Sequence, residues 1–204
     1  MTMTGQQPAA AEPTAYAAAR RAMIDSQLRT SGVNEPWVLA AMARVPREDF
    51  VPEPARAAAY IDRALELGDG RFLAAPLVHG KMLTEAAPVA GDNALLIGDG
   101  QGYLAALLRP LVGSLDCVAP EAAAKVPGKG AYSLIVIDGA IEQLPDWVAT
   151  RLADNGRLVT GLIERGVTRL AAGRKAGSAV ALMPLADLGI PVLPQFAAPK
   201  RWSF

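Results

Sequence analysis

A short apolar run, Asn93-Ala-Leu-Leu-Ile97, leaves this chain few ways to fold, because it empties directly into Gly98-Asp-Gly-Gln-Gly102 and then into a helical stretch from Tyr103 to Leu111. An unbroken apolar run of that length, closed by glycines, reads as a strand buried on both faces. Further short apolar runs follow at Leu115 to Ala119, Ser133 to Ile137 and Arg157 to Ile163, the last two separated by a helical stretch from Ile141 to Leu152. Alternation of this kind predicts an α/β chain with a mostly parallel sheet and helices on both faces.

The rest of the chain frames that core. Met1 to Glu12 is small and polar and reads as a disordered lead-in. Between Pro13 and Ser31, Tyr16, Met23, Ile24 and Leu28 recur at nearly the helical period, and Gly32 follows as a stop. Asn34 can cap a second helix that carries Trp37, Val38, Met42 and Val45 and ends before Pro46. A short third helix, from Pro52 to Tyr60, leads into a glycine loop at Gly68-Asp69-Gly70. At the other end, Val167 to Ala172 and Ala179 to Leu185 flank a turn-forming stretch from Arg174 to Ser178 and predict an antiparallel hairpin. Residues 13–204 therefore read as one domain, with a helical N-terminal part at 13–92 and a sheet core at 93–204.

Composition narrows the functions. The chain has 204 residues, and about 100–200 make one domain. Twenty basic residues balance twenty acidic ones, whereas a nucleic-acid binder carries a basic stripe. No apolar run reaches the roughly 18 residues of a membrane helix, and the first residues lack the pattern of a secretion signal, so the expectation is a cytoplasmic protein with no membrane partner. One cysteine, Cys117, forms no internal disulfide, and one histidine, His79, leaves too few soft ligands for a zinc site. A histidine-dependent hydrolase would need His79, which follows Leu77 and Val78 in an apolar context.

The glycine loop is the first candidate site, since residues without Cβ let backbone amides approach a ligand. Its spacing is G-x-G-x-G, whereas a dinucleotide fingerprint would put its third glycine at Tyr103. A mononucleoside-type ligand is favoured, and a nicotinamide oxidoreductase has the loop alone behind it. A tight turn that binds nothing is the plainer alternative. A nucleoside site also wants a carboxylate about 20 residues on, for the ribose hydroxyls. Asp116 lies 18 residues after Gly98 but mid-run, Glu121 lies beyond Pro120, and position 119 is Ala. Losing such a charged hydrogen bond costs about 1.5–3 kcal/mol, roughly tenfold to a hundredfold in affinity. Asp138 ends its run before Gly139 and reads either as a site-lining carboxylate or as the N-cap of a helix from Ile141. The cofactor-binding candidates are thus Gly98, Asp99, Gly100, Gln101, Gly102, Asp116 and Asp138. His79 reads as a helix-face residue, Trp37, Trp147 and Trp202 as core or covering aromatics, and Cys117 as packing.

Taken together, Arg21 to Leu28, Val45-Pro-Arg-Glu-Asp-Phe-Val-Pro52, Ala59-Tyr60-x-Asp62, Gly68-x-Gly70 and the G-x-G-x-G loop make a combination that resembles the protein-L-isoaspartate O-methyltransferase family. The resemblance implies a class I methyltransferase-like (Rossmann-like) fold that uses S-adenosylmethionine to methylate isoaspartyl carboxyls in damaged proteins or peptides. This sequence departs from the family pattern at the substrate loop. Where the family carries Gln-Thr-Ile-Ser-Gln-Pro, it reads Arg71-Phe72-Leu73-Ala74-Ala75-Pro76, so both hydroxyl positions, Phe72 and Ala74, are apolar and Arg71 remains as a cation for a carboxylate. Alignment also puts Ala119 where the family has its ribose-binding acid. Twelve residues separate Ala119 from Tyr132, too few for an average helix of about eleven residues plus a strand of about five, so the sheet is expected to be shortened at that edge. These departures leave two readings open: a repair methyltransferase of reduced activity, or a catalytically degenerate relative acting as a binding module.

Overall fold

The structure, a computed structural model, describes residues 13–125 and 130–199; the expected lead-in and Trp202 lie outside them. Helix α1 (Pro13–Met23) runs through a π turn (Ile24–Leu28) and a 3-10 turn (Arg29–Ser31) to Gly32, whose φ of 79° stops it. Helix α2 (Pro36–Arg44) starts on Pro36 at its first turn and buries Val38, Leu39 and Met42. The expected third helix is a 3-10 segment, Glu53–Ala58. The Gly68–Gly70 loop turns out to be a hairpin turn between β1 (Leu65–Gly68) and β2 (Arg71–Leu73). Gly68, Asp69 and Gly70 all have positive φ there, a conformation that glycine adopts without strain.

Helix α3 (Pro76–Ala86) then leads to the main sheet, formed by β3 (Asn93–Ile97), β4 (Ser114–Val118), β5 (Tyr132–Ile141), β6 (Leu152–Glu164), β7 (Val167–Ala176) and β8 (Ala179–Asp187). Their order is β4-β3-β5-β6-β7-β8; the first four are parallel, and β7 and β8 return antiparallel. This is the mostly parallel sheet expected, with the C-terminal hairpin extending it. The shortened edge is also seen: Pro120–Lys125 forms a 3-10 turn, and among the described residues no strand lies outside β4.

Alternation along the strands sorts the core into two layers. Ala94, Leu96, Leu134 and Val136 pack with α2, α3 and α4 (Tyr103–Leu108). Leu95, Ile97, Ile135 and Ile137 pack with Val148 of α5 (Asp146–Arg151) and with Phe196. The helix expected from Ile141 to Leu152 is confined to α5 because β5 stays extended to Ile141, where Ala140 bonds the Pro191 carbonyl at 2.7 Å.

At the amino ends of the strands Asp92, only 3% exposed, acts as a clasp. Its carboxylate accepts hydrogen bonds from Arg157 at 2.5 Å, Ser133 at 2.7 Å and the Val89 N–H at 2.8 Å, while Arg157 also donates to the Ala86 carbonyl at the end of α3. Three strands and a helix are joined there, opposite the end where the glycine loop opens.

Candidate functional site

Two cavities, of about 390 and 350 Å³, meet at the carboxyl ends of β3 and β5 and share Leu67, Arg71, Phe72, Asp99 and Asp138. In open α/β sheets this is the end where ligands collect. The larger is lined by Gly98, Gly100, Cys117, Glu121 and Gln195 among others, and the smaller by Asp49, Gln101, Gly102 and Tyr103. All five loop positions named from the sequence therefore face one cavity or the other.

Close packing explains the glycines. A Cβ on Gly98 would stand 2.9 Å from that of Asp138, one on Gly100 2.9 Å from that of Cys117, and one on Gly102 3.0 Å from that of Asp99. The same bareness leaves loop backbone open to the cavities. Asp99 closes the turn by accepting the Gln101 N–H at 2.9 Å, and its other oxygen lies 3.6 Å from Arg71 on β2. Arg71 thus has a partner, and the ion pair stands between the two cavities. Phe72, 48% exposed, lines both. Ala74 is buried and lines neither, so one of the two apolar substitutions reaches the cleft and the other lies beneath it.

Asp116 is turned away from the cleft: its carboxylate accepts the Tyr132 hydroxyl at 2.8 Å and it lines neither cavity. The acid that does line the larger cavity is Glu121, which accepts a hydrogen bond from Gln195 at 3.1 Å. Glu121 was visible in the sequence beyond Pro120, but nothing there could bring Gln195 to it. Cys117 lines the cavity as well, and burial pushes its thiol up, which keeps it protonated and unreactive at neutral pH.

Asp138 owes its aim to a bulge. Between Val136 and Ala140 of β5 three residues oppose the single Thr160 of β6, so the chain kinks at Ile137–Gly139. Thr160 bonds the freed Gly139 carbonyl at 3.1 Å. The helix-cap reading of Asp138 falls, since α5 begins eight residues later in the chain. Its Oδ1 instead lies 3.1 Å from Nε2 of His79.

His79 is fully buried on α3, and its Nδ1 faces Arg47 at 3.3 Å. Arg47 is buried as deeply; it donates to the Ala59 carbonyl at 2.7 Å and to the Ala74 carbonyl, and its guanidinium lies 5.0 Å over the Tyr103 ring. Burial pushes Arg47 down to about 10, with Tyr103 and Asp138 opposing, which leaves it cationic at neutral pH. Tyr60 receives Arg20 at 2.7 Å and donates to Glu48, and burial with that Glu48 bond raises its phenol to about 12. None of this network was predicted as a site, although Arg47, Glu48 and Tyr60 fall in the segments that carried the resemblance.

Comparison with known proteins agrees with the architecture. The family model of protein-L-isoaspartate(D-aspartate) O-methyltransferases matches residues 18–121. A protein-L-isoaspartate O-methyltransferase 1 of Rhodopseudomonas palustris is 33% identical over 177 residues, 74% of this chain and 72% of its own. One of Methanoregula boonei is 33% identical over 184 residues, covering 78% of this chain and 85% of its own. The fold is shared with a Plasmodium falciparum protein of the same designation, solved in complex with S-adenosyl-L-homocysteine, at a TM-score of 0.67 and 17% identity over 88% of this chain and 98% of that one. With a family match running from the first helix to the wall of the larger cavity, and relatives one-third identical over most of both chains, this chain belongs to the protein-L-isoaspartate O-methyltransferase family.

Proposed function

We propose that this protein is an S-adenosylmethionine-dependent carboxyl methyltransferase that acts on isoaspartyl groups of proteins or peptides, with slow methyl transfer. The observation that carries the reading is the larger cavity, bounded by the bare backbone of Gly98 and Gly100 and by the Glu121–Gln195 pair. A nucleoside without phosphates needs close backbone approach and an acceptor for its ribose hydroxyls. The glycines offer the first, and Glu121 offers the second in place of Ala119. When bound, the cofactor supplies an electrophilic methyl group.

The acceptor side is the smaller cavity, where Asp49, Phe72 and Gln101 line the wall. Phe72 offers no donor to a carboxylate, which supports slow turnover: one lost donor of this kind costs about a hundredfold to a thousandfold in rate. Arg71 supports residual activity. Its pair with Asp99 is exposed on both sides and long, hence weak, and an incoming carboxylate can compete for the guanidinium.

The test is transfer of labelled methyl to an isoaspartyl peptide, beside calorimetry with S-adenosylhomocysteine. We expect micromolar binding, slow transfer, and at least a tenfold gain in rate for Phe72→Thr. A second reading, a binding module without catalysis, is favoured by the exposed Phe72 ring; it predicts the same affinity with no labelled product from either protein.

A further inference from the structure

The buried chain Arg47–His79–Asp138 fixes more than a position. A guanidinium has N–H donors and no acceptor. The ring nitrogen facing Arg47, Nδ1 of His79, must therefore present its lone pair, 3.3 Å away. That leaves the proton on Nε2, which donates to Oδ1 of Asp138 at 3.1 Å. His79 is thus locked in one tautomer, and one carboxylate oxygen of Asp138 is occupied as its acceptor. The carboxylate is 18% exposed, in the bulge of β5, and lines both cavities. Its other oxygen, Oδ2, would lie 3.8 Å from a Cβ on Gly98, beside the first glycine of the turn. No described residue donates to Oδ2.

We propose that Asp138, oriented by His79, is the recognition site for a primary ammonium, namely that of the amino-acid end of the cofactor. The inference rests on the cofactor reading given above. An oriented acceptor with no donor of its own selects for N–H in the ligand, and a cation makes that bond short and strong. A carboxylate or a neutral methylene at the same point gains nothing there. The ammonium is the part of an S-adenosyl amino acid that meets this demand, and Asp138 stands between the cavity assigned to the nucleoside and the one assigned to the acceptor. His79 acts through Asp138 and is a positioning residue.

The experiment is calorimetry with S-adenosylhomocysteine and with its deamino analogue, identical but for hydrogen in place of the α-amino group. The wild-type chain is expected to prefer the amino form by about tenfold to a hundredfold. Asp138→Asn should bring the two ligands within about threefold of each other. His79→Ala should shrink the preference, and His79→Gln, which retains a donor, should restore part of it. A change in fold stability alone would weaken both ligands alike and leave their ratio untouched. If His79→Ala does not fold, His79→Gln and Asp138→Asn decide the matter. An undiminished preference in Asp138→Asn, or no preference in the wild type, overturns this proposal and leaves the cofactor reading standing. No binding of S-adenosylhomocysteine to the wild type overturns both.

Discussion

Arg47 shows how much a single residue can carry in this fold. Its side chain is wholly buried and satisfies two carbonyls and one imidazole nitrogen. Arg47→Met should therefore lower stability by about 3–5 kcal/mol in urea denaturation, because the carbonyls of Ala59 and Ala74 lose their donor and Asp138 loses its indirect counter-charge. Tyr60 has a pH signature. With its folded pKa raised to about 12 from an unfolded value near 10, its stabilising effect is complete below about pH 10 and is lost as pH climbs towards 12. Tyr60→Phe should flatten the alkaline limb of a stability-against-pH curve relative to the wild type; an unchanged slope would contradict the raised phenol. Neither role is legible in the sequence. Arg47 and His79 are 32 positions apart and His79 and Asp138 are 59, and no local pattern joins them. His79 does sit on a helix, as its context suggested, but that context could not reveal that both ring nitrogens are engaged.

Strands and turns, by contrast, were largely readable. Each apolar run picked out after Ile97 became a strand, because residues buried on two faces must be apolar without interruption. What escaped was extent. β5 runs on through Asp138 to Ile141 because the segment at Pro191–Val192 pairs alongside it, and the expected helix shrank to six residues. The bulge that aims Asp138 depends on the register with β6, which sequence periodicity does not encode. The Asp92 clasp at the opposite end invites an element-scale test. Burial pushes its carboxyl up, but the bonds from Arg157, Ser133 and Val89 outweigh this and hold it below the ordinary carboxylate range. Its contribution is therefore present above the unfolded pKa near 4 and lost as pH falls through the lower folded value. Asp92→Asn should lose about 2–4 kcal/mol at neutral pH and show a shallower acid limb by circular dichroism. Affinity for S-adenosylhomocysteine should stay the same.

Across the whole molecule, no helix among the described residues is long and apolar enough to cross a membrane, and the six strands form one continuous sheet. The two ends of that sheet do different work. The amino ends are tied by Asp92, Ser133 and Arg157, and the carboxyl ends open into the cavities. Among the described residues, the hydrogen bonds of the clasp reach none of residues 72, 119 and 121 on the open side, so changes there should act independently of it. Combining Asp92→Asn with Phe72→Thr should give additive changes in unfolding free energy in urea denaturation, to within about 0.5 kcal/mol, while the effect on methyl transfer follows Phe72→Thr alone. Such a division makes the chemistry at the open rim an interchangeable fitting on a fixed chassis. A different residue at position 72 or 121 can reshape what the rim admits and still leave a protein that holds its shape.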